Sequence, residues 1–265
     1  MPADIYTHGH HASVVGAHAT RTIANSAAYL APLLTPGQSL LDVGCGPGSI
    51  TVEFAELLGE SSEVLAFDLS SEVIDQARAA YPGTSARFET MDLYNLAVDD
   101  NHFDVAHAHQ VLQHVSDPIA ALREMKRVVK PGGVVAVRDA DYAAMHWSPA
   151  SPLLDRWQEL YRAVAYANDA EPDAARHLVA WAREAGFTDV TPSVSTWLFT
   201  APEGAAWWGG TWAQRIVSSS LADRAVELGL SSRDELSELS TAWSQWAGDP
   251  AAWFVVVHGE LICRL

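Results

Sequence analysis

The sequence predicts an α/β fold, a largely parallel sheet with helices packed on both of its faces. Three observations predict it. Apolar runs of strand length recur at 39–43, 63–67, 86–89, 103–107 and 133–138, with helix-period segments between them at 49–59, 71–80, 117–129 and, in part, 109–114. Short buried strands alternating with helices are the pattern of βαβ units. A glycine-rich turn, Gly44-Cys45-Gly46-Pro47-Gly48, joins the first of these strands to the helix after it. The chain has 265 residues, 49% of them hydrophobic and 18% charged. That length and composition bury a substantial core without disulfides and are unlike those of disordered or collagen-like chains.

The elements follow in order. Residues 1–20 are rich in His, Ala and Gly and carry little strand signal. Residues 21–34 read as one amphipathic helix, stopped by Thr35-Pro36-Gly37. The alternation then runs to about residue 140, where Lys130-Pro131-Gly132-Gly133 ends a helix and starts the strand at 133–138. Beyond 140 the texture changes. Residues 152–185 read as helical, with Arg156, Trp157, Leu160, Val164 and Trp181 at helical spacings. Residues 188–198 and 252–262 read as long strands, and 202–248 as helical and Trp-rich. All ten Trp lie at or after Trp147. No repeat or low-complexity linker divides the chain. It reads as a single domain, 1–265, with an N-terminal cap segment (1–35), a core (36–140) and helical lid elements at 141–185 and 200–250.

Charge excludes several partners. Lys+Arg number 16 and Asp+Glu 33, a net charge of −17 spread over both halves of the chain. Nucleic-acid backbones and anionic lipid call for the opposite sign, so neither nucleic acid nor membrane is an expected partner. Two cysteines, Cys45 and Cys263, argue against a disulfide framework and fit a reducing cytoplasm. The N-terminal residues lack the pattern of a signal peptide, and no apolar run approaches a membrane span. The sequence leaves a homodimer open.

The glycine turn points to a ligand. Glycines let the backbone turn sharply and come close to a bound molecule. By itself G-x-G after a strand is a weak signal shared by several nucleotide sites. Asp42 ends the strand before the turn, and Pro47 lacks an N–H that a pyrophosphate would use. An acid at this mouth favours a cationic or amino-bearing ligand over a phosphate, which also disfavours a nicotinamide-dependent oxidoreductase. Asp68 ends the second strand, where a carboxylate can accept from both ribose hydroxyls, and Asp92 follows the third, within reach of an adenine amino group. Singly, each acid also reads as a turn or cap residue. Together they surround the crevice at the carboxyl ends of the strands, where open α/β sheets bind ligands.

Five stretches, LLDVGCGPGSIT (40–51), VLAFDLSSEVIDQAR (64–78), MDLYNL (91–96), FDVAHAHQVLQHVSDP (103–118) and LREMKRVVKPGGVVAV (122–137), lie in family order with family-like spacing. Through them the chain resembles the class I S-adenosylmethionine-dependent methyltransferases, nearest the branch of ubiquinone- and menaquinone-biosynthesis methyltransferases that act on small molecules. The resemblance implies a Rossmann-like seven-stranded sheet of order 3-2-1-4-5-7-6 with strand 7 antiparallel, and S-adenosyl-L-methionine as cofactor. It further implies that Gly44, Cys45 and Gly46 approach the cofactor. Asp68, with Leu69 beside it, would take the ribose diol. Asp92 and Leu93, next to Met91, would hold the adenine. His109 and Gln110 would pass the methionine portion. In related enzymes an N-terminal segment folds over the cofactor, so Tyr6 is a candidate lid and Arg21 a candidate contact for the methionine carboxylate; the same segment also reads as a surface helix. The resemblance fades after about residue 140, where acceptor pockets diverge.

Methyl transfer is an in-line displacement, and much of its rate can come from alignment. A general base or acceptor contact must sit at the carboxyl ends of the strands. Histidines cluster at 102, 107, 109 and 114. His109 is the first candidate for base or acceptor contact and His114 the second. His8, His10, His11, His107 and His109 could supply imidazoles to a metal, but no H-E-x-x-H or Cys-pair spacing accompanies them, and no metal is expected. Asp139, Asp141 and Tyr142 are placed just past the strand at 133–138, where they could position a polar acceptor group, with Met145, His146 and Trp147 next. Trp207, Trp208, Trp212, Trp243 and Trp246 read as the wall of an apolar or aromatic acceptor pocket, or as helical core. The expected function is methyl transfer to a small apolar or aromatic molecule, at O, N or C. The alternative is a non-catalytic protein that binds the same cofactor. No N-P-P-Y-type base-flipping motif follows the fourth strand.

Overall fold

The computed structural model describes residues 20–265. Its sheet is built from β1 (Leu40–Val43), β2 (Val64–Asp68), β3 (Arg87–Thr90), β4 (Phe103–His109), β5 (Val129–Ser148), β6 (Asp189–Thr200) and β7 (Trp253–Arg264). The helices are α1 (Ser49–Leu58), α2 (Ser71–Ala80), α3 (Pro118–Val128), α4 (Pro152–Ala167), α5 (Leu178–Glu184), α6 (Glu203–Ser218), α7 (Ser220–Glu227) and α8 (Arg233–Ala247). The strand order is β3-β2-β1-β4-β5-β7-β6, as expected from the resemblance. β1 to β5 pair in parallel, and β7 runs antiparallel to both β5 and β6. β1 and β2 are almost wholly buried because helices cover both faces of a parallel sheet, which is why they read as continuous apolar runs.

The helix starts are set by local chemistry. Ser70, Asp117, Ser151 and Ser232 each accept a backbone N–H from the first turn of α2, α3, α4 and α8. Pro118 and Pro152 stand in the first turn of α3 and α4, where no backbone N–H is needed.

Three sequence expectations are corrected, and a fourth is resolved into its separate helices. Residues 21–34 do not form one helix. A π turn at Ile23–Ala27, boxed by Thr22 and Asn25, gives way to a 3₁₀ turn at Ala31–Leu33. Pro32 has no N–H and biases Ala31 away from helical backbone. The fifth strand does not stop at 138 but continues to Ser148, because pairing with β7 goes on from Arg138↔Glu260 to Ser148↔Trp253 with one register shift between Asp141 and His146. Asp139, Asp141 and Tyr142 are therefore strand residues and not part of a loop leaving the sheet. The helical stretch 152–185 is broken after α4, where Asp169 takes φ 56°. The stretch 202–248 is three helices, separated by the extended Ser219 and by Gly229 at φ 67°.

Two apolar cores flank the sheet. A third, aromatic core joins α4, α6 and α8 to β7. At its centre Trp157 lies 4.5 Å from Trp212 and 4.8 Å from Trp243, ring centre to ring centre. Trp212, Trp243 and Trp246 thus belong to the core, and Trp147 stacks on Phe254 at 5.6 Å within the same cluster.

Candidate functional site

The glycine turn after β1 requires glycine where it faces the crevice. Gly44 and Gly46 have φ +61° and +55°, a region that L side chains rarely adopt. A Cβ on Gly44 would lie 2.6 Å from Val111 Cγ2. The Cys45 N–H donates to Phe67 O at 2.9 Å, tying the turn to the end of β2. Asp68 is half-buried at that strand end. Its Oδ2 accepts the Gly46 N–H at 3.2 Å and its Oδ1 the Ser70 N–H at 3.1 Å. Asp92 is exposed, and its Oδ1 accepts the Tyr94 N–H at 2.9 Å.

These residues line a cavity of about 480 Å³ at the carboxyl ends of β1, β2 and β4. Asp42, Gly44, Cys45 and Gly46 form one wall. Asp68 and Leu69 with Met91, Asp92 and Leu93 form a second, and Arg21, His109, Gln110 and His114 a third. Tyr6 lies outside the described residues. Ser70 and Val111 also line the cavity and were missed in the sequence, where neither carries distinctive chemistry. Val111 matters because its side chain occupies the space that a Cβ on Gly44 would need.

Asp42 plays a different part from the one its position suggests. Its carboxylate is buried, with Oδ2 accepting from the Thr51 hydroxyl at 2.5 Å and Oδ1 2.8 Å from His107 Nδ1. It joins β1, α1 and β4 beneath the turn, and the residue also lines the cavity.

A second cavity, of about 240 Å³, adjoins the first. Arg21, Gln110 and His114 line both. Much of the rest of its wall comes from β5 (Tyr142, Met145), β6 (Trp197, Phe199) and α6 (Trp207, Trp208, Arg215), with Gln113 and Val256 beside them. Of the Trp-rich segment only Trp207 and Trp208 reach this cavity. Of the β5 candidates, His146 is exposed, and Asp141 is held by Arg176 at 2.6 Å. Gln113, Trp197, Phe199 and Arg215 were not foreseen as site residues. β6 and α6 carry no motif, and only the tertiary fold brings them to the cavity.

Gln110 is the hinge between the cavities. It has φ 55°, strained for a residue with a side chain. Its N–H donates to Arg138 O at 2.7 Å, its Oε1 accepts from Arg21, and its Nε2 lies 3.0 Å from His258 Nε2. The amide is the donor in that last contact, which makes His258 a neutral acceptor. Burial holds His258 well below the usual imidazole range, reinforced by the charges of Arg138 and Arg21.

His109 and His114 are neutral as well. Burial, then the Arg21 and Arg138 charges, hold His109 well below its ordinary value. Both of its ring nitrogens are buried without a hydrogen-bond partner among the described residues. Burial and Arg21 push His114 down to about 3, and Gln113 Nε2 lies 3.0 Å from its Nε2. The turn carrying His114, Leu112–His114, is pinned from β5, where buried Asp139 accepts the Gln113 N–H at 3.0 Å.

Burial raises the Asp139 carboxyl from 3.8 to about 7. Between those values the folded protein holds a proton that the unfolded chain has lost, so stability falls as pH rises through the window. The expected slope is at most about 1.4 kcal/mol per pH unit. Asp139→Asn keeps the acceptor for Gln113 and removes the titration. Urea unfolding of both proteins across this window should show the slope in the wild type and a flatter profile in the variant. Equal slopes would place the titration elsewhere.

Comparison with known proteins gives a consistent picture. Residues 41–137 match a family model described as a methyltransferase domain. Over 98% of this chain and 96% of the relative, the sequence is 31% identical to an uncharacterized methyltransferase of Schizosaccharomyces pombe. It is 34% identical to the 2-phytyl-1,4-naphtoquinone methyltransferase of Synechococcus elongatus, over 48% of this chain and 53% of that protein. The YcgJ protein of Bacillus subtilis shares the fold, with a TM-score of 0.56 at 18% identity over 96% of this chain and 98% of that one. No described helix is long and apolar enough to cross a membrane.

Proposed function

The chain belongs to the class I S-adenosylmethionine-dependent methyltransferases, and from that premise we propose that it methylates a small apolar or aromatic molecule seated in the tryptophan-lined cavity. The observation that supports this reading is the wall of Arg21, Gln110 and His114 common to both cavities. A donor in the larger cavity and an acceptor in the smaller one would meet there.

The larger cavity suits the cofactor. Gly44 and Gly46 leave backbone that no Cβ obstructs, and Asp68 offers lone pairs beyond those used by Gly46 and Ser70. Asp68 would hold the ribose hydroxyls, Asp92 and Leu93 the adenine edge, and Arg21 the methionine carboxylate. When bound, S-adenosylmethionine supplies a methyl group on a positively charged sulfur. What remains for this chain is to align an acceptor with that methyl and to exclude water.

His109 and His114 fit an aligning role better than a proton-storing one. A neutral imidazole can accept a hydrogen bond from an acceptor group. The burial that keeps both rings neutral also makes an imidazolium costly there. His109 lines the larger cavity, so His109→Ala should lower turnover about tenfold to a hundredfold through lost alignment and weaken S-adenosylhomocysteine binding by a smaller factor. The check pairs product formation over a panel of small aromatic acceptors with calorimetric titration of S-adenosylmethionine and S-adenosylhomocysteine. A loss confined to cofactor affinity would make His109 a cofactor-side residue. Tight cofactor binding with no methylated product across the panel would favour the non-catalytic reading. The net charge of −17 supports an acceptor other than nucleic acid, and the sparse cysteines support a reducing compartment such as the cytoplasm.

A further inference from the structure

We infer that the acceptor is a planar aromatic anion, whose ring lies among the Trp and Phe faces of the smaller cavity and whose negative group is met by Arg215. This deepens the methyltransferase reading above and rests on it. Arg215 stands on α6 with 4% of its surface exposed, its guanidinium 4.7 Å from the centre of the Trp212 ring. Desolvating a cation is costly, and a core position on this helix would hold an apolar side chain more cheaply. Arg215 instead brings its charge to the wall of a cavity.

Composition supports the sign. The described residues lining this cavity include two guanidinium groups, Arg21 and Arg215, and no carboxylate. The chain as a whole carries 33 acids against 16 bases, so the lining reverses the balance of the molecule.

Shape supports the ring. Phe199 and Trp208 stack at 4.4 Å with their planes 7° apart, and both line the cavity. Flat aromatic walls bind a flat ring through offset or edge contacts. An anion on that ring pairs with a guanidinium, which matches a carboxylate with two parallel N–H groups.

The test uses 2-naphthoate and its uncharged isostere 2-naphthamide as probes, titrated into the full chain saturated with S-adenosylhomocysteine. The carboxylate should bind about tenfold more tightly than the amide, the size expected of a charge-assisted hydrogen bond. Arg215→Gln should erase that preference, and Arg215→Lys should keep part of it, each with S-adenosylhomocysteine affinity intact. Equal binding of the two probes to the wild type would overturn the inference without any variant, as would binding of neither at millimolar concentration. A preference that survives Arg215→Gln and disappears in Arg21→Gln would overturn the assignment to Arg215. If the wild type fails to bind S-adenosylhomocysteine at all, the underlying methyltransferase reading fails, a result distinct from any probe outcome.

Discussion

Asp68→Ala should lower the affinity for S-adenosylmethionine by about a hundredfold or more. A hydrogen bond to a charged acceptor contributes about 1.5–3 kcal/mol, and a ribose diol offers two. Their loss together is worth at least about 3 kcal/mol, a little over a hundredfold in the dissociation constant. Asp68 also accepts the Gly46 and Ser70 N–H groups, so its removal releases the glycine turn from β2. A stability loss of about 1–2 kcal/mol should accompany the binding defect. From the sequence alone Asp68 is a rim residue, and the structure gives it this second task. Asp68→Asn retains an acceptor for the turn and loses the charge, so it should keep most of the stability and less of the affinity. Calorimetric titration combined with thermal unfolding separates the two effects. Affinity unchanged in a folded Asp68→Ala protein would remove Asp68 from the ribose role.

Trp157→Ala should destabilise the protein by about 3–5 kcal/mol, the range for deleting a large aromatic side chain from a packed core. Trp157 is fully buried and touches the rings of Trp212, Trp243, Trp147 and Phe254. Its N–H has no hydrogen-bond partner among the described residues, so the loss is one of packing. Trp157→Phe keeps much of the volume and should cost less than half as much. The effect should also reach the site, because α6 supplies both Trp212 to this cluster and Trp208 and Arg215 to the smaller cavity. Binding of an aromatic acceptor should therefore weaken more than binding of the cofactor. Equilibrium urea unfolding measures the first effect and paired titrations the second. An alanine variant within about 1 kcal/mol of the wild type would mean that the site collapses to fill the gap.

What the sequence made legible was local. β1, β2 and β4 are short apolar runs and the helices between them are bounded by a cap or a glycine, so periodicity places them, while β3 buries only Phe88. The acids at the strand ends follow, since their positions are counted from the strands. What escaped depends on residues distant in the chain. β5 outruns its apolar run because β7, more than a hundred residues later, continues to pair with it. Trp207 and Trp208 face a cavity while Trp212, Trp243 and Trp246 fill a core. Spacing on a helix cannot decide this until the neighbouring helices are placed. The buried links of Asp42 to His107 and Thr51 escaped as well, because those residues lie on other elements. The segment 21–34 has helical periodicity, but Pro32 and the polar box at Thr22 and Asn25 outweigh it.

The place of β7 has a consequence for the order in which the molecule can be made. β6 has no neighbour in the sheet except β7, and β7 fills the gap between β5 and β6. On a growing chain β6 emerges first, then three helices, and only then the strand that gives β6 its hydrogen bonds. Until that moment β5 presents an open edge, and β6 has nothing to join. The nascent chain must carry an unfinished sheet through the synthesis of the three helices between β6 and β7, exposed to pairing with the wrong strand or a neighbouring chain. His258 rides on this last strand, so the contact that positions Gln110 between the two cavities is also among the last to form. Competence to seat both reactants should arrive in one step, once β7 has emerged and paired.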